Sequence, residues 1–329
     1  MRYGNLITVC CVLASMALFS GCDRRVVTRT DTPVSGKAVV AVDECLAPII
    51  NEEINAFQGL NPEASIVPIY TTEKEAIDLL VNDSVRMAVT TRALSDNEKL
   101  IIKNRKLRLR FQVIAIDGIA LIVNKENRDT LLSAGQLKQI MLGEITSWKQ
   151  IDPTSTRGNI TVVFDSPNSS TVRYISDSLC LGQTLSDRVR AIGQDTVTSV
   201  KTEAANQKVI EYVVGHPDAL GIIGVNWISS QNDTANFGFI DKIRVVALSR
   251  ADEATTENSY LPYAGRIALG DYPLTRNVYM LLTDVSGGLP SGFVAFVAGE
   301  KGQRIILKAG LRPQTVPTRV IQVRQTLEK

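Results

Sequence analysis

Between positions 164 and 174 the chain reads FDSPNSSTVRY. Asn168, Ser169, Ser170 and Thr171 stand in a row, and Arg173 follows two places later. Hydroxyls and amides are neutral hydrogen-bond donors, and a guanidinium is a planar charged fork that fits two oxygens at once. Together they suit an oxyanion. The apolar run at 160–164 reads as a strand, and the spacing from 172 to 181 reads as a helix. A helix start adds unpaired N–H groups and a partial positive charge. The stretch is therefore expected to cradle an anion.

Three other junctions of the same kind precede it. Asp43, Glu44 and Cys45 lie between a strand at 37–42 and a helix at 48–57. Thr71 and Thr72 lie between a strand at 65–70 and a helix at 74–81. Thr91 and Arg92 follow a strand at 86–90 and precede a helix at 96–103, whose start carries a capping box, Ser95 with Glu98. Arg92 reads in two ways, as a bidentate oxyanion ligand or as an ion-pair partner of Asp43 or Glu44. Two carboxylates near a divalent anion would repel it unless one is protonated or paired.

The composition narrows the chemistry. The 329 residues carry a net charge of +2 and are 44% hydrophobic, which suits one large or two medium globular domains. That near-neutral balance gives no electrostatic case for nucleic acid. There is no Gly-x-Ser-x-Gly elbow, phosphate-binding P-loop or metal-ligand spacing, so neither catalysis nor a metal or cofactor is expected. The single histidine, His216, stands before Pro217 and reads as an exposed turn residue. Tyr70 and Trp227 could line a cleft but read more simply as packing residues.

The elements that must hold these junctions alternate strand and helix, which implies parallel sheets covered by helices. Apolar runs at 109–115 and 119–124, either side of Asp117-Gly118, are long enough to cross between two lobes. A second alternation runs from about 133, with a helix at 135–142, strands at 160–164, 220–225 and 243–248, and a helix at 203–214. The run at 278–283 leads back, and 292–309 has helical spacing broken near Gly299. Two α/β lobes put strand ends and helix starts along a shared cleft.

The first residues read as a targeting segment. Arg2, an apolar run over 6–19 and Ser20-Gly21-Cys22 describe a signal peptide over 1–21 with lipidation of Cys22. A polar tether is expected over 22–37. After processing only Cys45 and Cys180 remain, and two free thiols are expected rather than a disulfide.

Several motifs, in order, resemble the phosphate-binding proteins that serve ABC-type phosphate uptake. Residues 114–124, reading IAIDGIALIVN, resemble that family's crossing strand. Gln136 to Ile140 followed by GEITSW at 143–148 resembles its helix and Gly-x-Ile-x-x-Trp element. DALGIIG at 218–224 and YPLTRNVY at 272–279 resemble a later strand and the return crossing. The resemblance implies a two-lobed type II periplasmic-binding-protein fold of class α/β. Each lobe would be a mixed, mainly parallel sheet flanked by helices, with the ligand cleft between them. It places lobe 1 at 38–116 and 278–329 and lobe 2 at 117–277.

The resemblance also implies a small oxyanion, phosphate first, held by Thr71, Thr72, Thr91, Arg92, Asn168, Ser169, Ser170, Thr171 and Arg173. Its partner would be an ABC permease, met by a monomeric, membrane-anchored lipoprotein on the periplasmic side of the envelope. The ligand loops depart from the family. Both glycines of its Gly-Ser-Gly-Thr-Arg loop are absent, its arginine has moved one place, and Asp43, Glu44 and Cys45 replace small polar residues. A ligand with a cation or many hydroxyls, selected by Asp43, Glu44 and Cys45, is the competing reading. An interaction or sensing lipoprotein of the same fold is the competing function.

Overall fold

The computed structural model describes residues 31–193, 203–229, 240–284 and 287–316. The first lobe begins with strand β1 (Gly36–Asp43), a 3-10 turn (Glu44–Leu46) and helix α1 (Ala47–Leu60). Strand β2 (Ala64–Thr71), helix α2 (Glu73–Val81), strand β3 (Met87–Thr90) and helix α3 (Asp96–Asn104) complete its first pass. β1 pairs in parallel with both β2 and β3. Its side chains alternate as a pleated strand demands. Val40 and Val42 enter a core with Ile50, Phe57 and Phe293 on one face, while Ala41 faces Ile77, Leu80 and Ile102 on the other.

Strand β4 (Arg110–Asn124) then runs through both lobes. The second lobe holds β5 (Leu131–Ser133), α4 (Ala134–Leu142), β6 (Thr161–Phe164), α5 (Ser170–Tyr174), β7 (Val189–Ala191), α6 (Glu203–Gly215) and β8 (Ala219–Gly224). Short strands β9 (Ile243–Val245), β10 (Ala247–Ser249) and β11 (Ser259–Tyr260) and helix α7 (Ala264–Leu269) follow. β12 (Thr275–Leu282) returns antiparallel to both β3 and β4. Helices α8 (Leu289–Ala298) and α9 (Glu300–Lys308) close lobe 1, and β13 (Arg312–Pro313) adds to β4. The sheet order is β2-β1-β3-β12-β4-β8-β6-β7, so β4 and β12 form the junction. Lobe 2 packs around Trp148, whose indole N–H donates to the Asp218 carbonyl at 2.9 Å. Among the described residues no helix is long and apolar enough to cross a membrane.

Four local expectations change. The two runs around Asp117-Gly118 are one strand, because Gly118 lets β4 pass beneath Ile267; a Cβ there would lie 2.9 Å from its Cδ1. The run at 243–248 breaks at Val246, with β9 pairing β4 and β10 pairing β5. The helix expected over 172–181 is α-helical only to Tyr174 and continues as a wide π turn over Ile175–Leu179. Residues 31–37, read as tether, belong to the folded body: Asp31 is buried and accepts from Leu289 N at 2.8 Å and from Arg86 at 2.9 Å. His216 is exposed after α6, and Cys45 and Cys180 are both free and buried, as expected.

Candidate functional site

The strands of lobe 1 end at the junction, and so does the start of α5 in lobe 2. Their side chains meet around Arg276, a buried residue of β12. Arg276 stands opposite Asp117 across the β12–β4 ladder, and its Nε donates to Asp117 Oδ2 at 3.0 Å. That anchor aims the rest of the fork. Nη1 donates to Ser170 Oγ at 3.1 Å, and Nη2 reaches Thr171 Oγ1 at 3.3 Å and Cys45 Sγ at 3.2 Å. Cys45 Sγ also lies 3.2 Å from Ser170 Oγ. One guanidinium thus touches the 3-10 turn of lobe 1, the first turn of α5 in lobe 2 and both crossing strands. Burial opposes its charge, but Cys45, Asp117, Asp43 and Glu73 outweigh that and raise its pKa above the ordinary value.

Asp43 completes this centre in an unexpected way. Its Oδ1 accepts from Cys45 N at 3.3 Å and its Oδ2 from Cys45 Sγ at 3.1 Å, and Ser170 also bonds to it. A carboxylate of the chain itself therefore takes the donors that a bound oxyanion would use. Burial, with Glu73 adding, pushes its pKa up to about 6, against the pull of Arg276, Ser170 and Cys45. Burial likewise raises the Cys45 thiol. Glu44 faces lobe 2, where Ser166 Oγ donates to its Oε1 at 3.1 Å. Burial, then the charges of Asp165 and Asp43, push Glu44 up to about 9, so it keeps its proton at neutral pH. Asp165 is raised by burial too, and its Oδ1 has no hydrogen-bond partner among the described residues.

A second cluster closes the rim. Arg173 points into the cleft, and its Nε donates to Glu73 Oε2 at 2.8 Å across the lobes. Glu73 Oε1 accepts from Thr91 N at 2.7 Å and Thr91 Oγ1 at 2.6 Å. Arg92 binds Glu98 with both Nη atoms, at 2.9 and 2.8 Å, and lies 3.8 Å from Glu73. Arg92 is thus an ion-pair residue, but its partners are Glu98 and Glu73, not Asp43 or Glu44. Outside this clasp a cavity of about 480 Å³ is lined by Lys74, Arg92, Glu98, Asn168, Ser169 and Arg173, among others.

The expected residues thus separate. Ser170, Thr171, Cys45 and Asp43 meet at the centre, with Glu44 beside them. Thr91, Arg92 and Arg173 form the rim, and Asn168 is exposed at the cavity. Ser169 is spent on its own helix, accepting from Thr171 N at 3.1 Å and Val172 N at 3.4 Å. Two helix-start N–H groups of α5, those of Thr171 and Val172, are therefore already capped and are not free for the expected backbone cradle. Thr71 donates to Glu75 and Thr72 caps α2, so neither faces the centre. Tyr70 bonds Asn51, and Trp227 Nε1 donates to the Cys45 carbonyl at 2.9 Å, so both serve packing. Cys22 lies outside the described residues. Among those residues, no group of three or more His, Cys, Asp and Glu is placed to hold a metal ion.

Arg276, Asp117, Glu73 and Asp165 were missed from sequence. The signal for the first pair was available: Arg276 sits within the return-crossing motif and Asp117 within the outgoing one. A charged residue in each of two adjoining apolar strands invites an ion pair.

Residues 27–301 match the model of a PBP superfamily domain. The chain is 22% identical to the phosphate-binding protein PstS of Staphylococcus haemolyticus over 276 residues, 82% of this chain and 79% of that protein. It is 28% identical to phosphate-binding protein PstS 2 of Streptococcus agalactiae serotype V over 117 residues, 36% of this chain; the match spans only 38% of that relative's length. Among solved structures, a putative phosphate ABC transporter substrate-binding protein from Clostridium perfringens superposes with TM-score 0.65 at 22% identity, covering 85% of this chain and all of that one. An ABC-type phosphate transport receptor from Vibrio cholerae gives TM-score 0.60 at 20% identity, over 84% of this chain and 100% of the receptor. At that identity the superpositions speak for the two-lobed fold. The family match spans most of the sequence, and the chain belongs to the PBP superfamily.

Proposed function

We propose that this protein is a lipid-anchored, extracytoplasmic solute-binding protein that captures a small oxyanion, phosphate first, between its lobes for an ABC permease. It works as a monomer, without a cofactor, and is not an enzyme. The observation that carries this reading is the buried Arg276 fork. It joins Ser170 and Thr171 of one lobe to Cys45 of the other, so an anion held there would bind both lobes at once. The staphylococcal and streptococcal relatives, named for phosphate binding, support the ligand class. Anchoring at Cys22 rests on the sequence pattern of the first 22 residues.

Calorimetry with phosphate tests the reading. A micromolar dissociation constant, lost in Arg276→Ala and in the double variant Ser170→Ala/Thr171→Ala, is the expected result. Asp43 favours a second reading, an envelope interaction or sensing lipoprotein whose ligand has been lost or changed. An internal carboxylate already satisfies Cys45 N–H and the Ser170 hydroxyl. No heat with phosphate, sulfate, molybdate or sugar phosphates would select that second reading.

A further inference from the structure

The end of lobe 1 farthest from the cleft carries a surface that solute capture does not use. Helix α3 ends in a tight turn with Lys106 at φ 60°, and the chain reverses into β4. Over Lys103–Phe111 the sequence is KNRKLRLRF. Lys103, Arg105, Lys106 and Arg108 are all exposed. Arg105 bonds only the carbonyl and side-chain oxygens of Asn82, and none of the four makes an ion pair among the described residues. Asp83, next to the Asn82 that Arg105 holds, is an exposed acid near this turn. The whole chain is only +2, so all other residues together carry two net negative charges. Apolar groups flank the basic ones: Phe111 is 64% exposed, Leu100 53% and Ile101 43%. Phe111 stands edge-on to Tyr279, with ring centroids 6.4 Å apart, and so continues the core under α3 onto the surface.

The folded body starts at this same end. Asp31 pairs with Arg86, Arg86 with Asp284, and Arg110 Nη2 donates to the Asp284 carbonyl at 2.9 Å. The first described residue is therefore linked through two residues, Arg86 and Asp284, to the first residue of β4. Asp31 is nine positions after Cys22. At no more than about 3.6 Å per residue, an acyl chain on Cys22 would keep this end within roughly 32 Å of the bilayer. β1 and β3 run from here toward the cleft, and eight residues of strand span about 26 Å.

We infer that this basic and apolar end of lobe 1, centred on Arg105, Arg108 and Phe111, docks on an anionic lipid bilayer. Four cations meet lipid phosphates, while Phe111, Leu100 and Ile101 enter the headgroup boundary. Docked this way, the protein holds its cleft away from the membrane, open to incoming solute. The nearness of the bilayer rests on the proposed anchor; the affinity of the surface does not.

The test uses the full chain with Cys22→Ser, which cannot be acylated there, and sedimentation with vesicles. Pure phosphatidylcholine is compared with phosphatidylcholine containing about a third phosphatidylglycerol. Each basic group at such a surface is worth about fivefold in partitioning. Arg105→Glu/Arg108→Glu should lower binding to the anionic vesicles by well over tenfold, leaving binding to neutral vesicles and the melting temperature unchanged. Lys103→Glu/Lys106→Glu should act alike, and Phe111→Ser should weaken both vesicle types. Equal binding by the parent and both charge-reversed forms overturns the inference. So does a charge-dependent loss seen with soluble polyglutamate but not with vesicles, which would assign the surface to an acidic protein. Radiolabelled palmitate on Cys22 in cells tests the anchor separately, so either idea can fail alone.

Discussion

Replacing Asp43 with asparagine should strengthen oxyanion binding, and should do so most at alkaline pH. Asparagine keeps the shape and an oxygen for Cys45 N–H, but removes the negative charge 3.1 Å from Cys45 Sγ and beside Arg276. An incoming anion meets Asp43 either charged, at a Coulomb cost, or protonated. The second route is cheaper where the pKa stands near 6. Holding the proton at pH 8 then costs two pH units at about 1.36 kcal/mol each, about 2.7 kcal/mol or a hundredfold in affinity. Below pH 6 the cost vanishes. Asp43→Asn should therefore bind phosphate roughly a hundredfold more tightly than the parent at pH 8 and about equally at pH 5.5. Taking the ratio of the two proteins at each pH cancels the titration of phosphate itself. Calorimetry in two buffers of different ionisation enthalpy should also show proton uptake by the parent and less by the variant. Weaker binding by Asp43→Asn, or a ratio independent of pH, would refute the reasoning and make Asp43 an acceptor that the ligand requires.

Three further outcomes follow from the same contacts. Arg276→Met should destabilise the fold by about 3–5 kcal/mol in denaturant, because it leaves Asp117 charged and buried, and Arg276→Met/Asp117→Leu should recover much of that loss. Glu53→Gln should remove a pH dependence of stability. Both Glu53 oxygens are buried without a hydrogen-bond partner among the described residues, and burial pushes its pKa up to about 9. The folded state keeps that proton while the unfolded state loses it above about 4.5. Stability should thus fall with rising pH between those values, by up to about 1.4 kcal/mol per unit, and the variant measured at pH 8 should unfold at higher denaturant. Arg173→Ala should cut the clasp to Glu73 and Thr91 and expose Cys45, seen as faster maleimide labelling of an unliganded protein.

The strands and helices were largely legible because their signals are local. The Ser95–Glu98 capping box formed as the sequence implied, and the break at Gly299 separates α8 from α9. The alternation of Val40, Ala41 and Val42 between two cores needs nothing beyond period two. The centre was less legible because its bonds join distant residues. Cys45 and Arg276 are 231 positions apart, and Arg173 and Glu73 are 100 apart. Sequence order brings Thr71 and Thr72 to the right junction but cannot tell that Glu75 and the α2 backbone claim them. The same holds for Ser169: a serine before a helix is equally a ligand and a cap, and here the cap wins.

The two crossing strands hydrogen-bond to each other along β12, with one bulge between Val278 and Tyr279. The lobes therefore share one paired ribbon rather than two separate cords. Arg276 grows from the ribbon itself, at its contact with Asp117. A solute gripped there would press on the axle instead of the blades. Arg173 and Glu73 close the rim across the lobes next to that axle, so the gap between these two side chains is where an occupied site should be read.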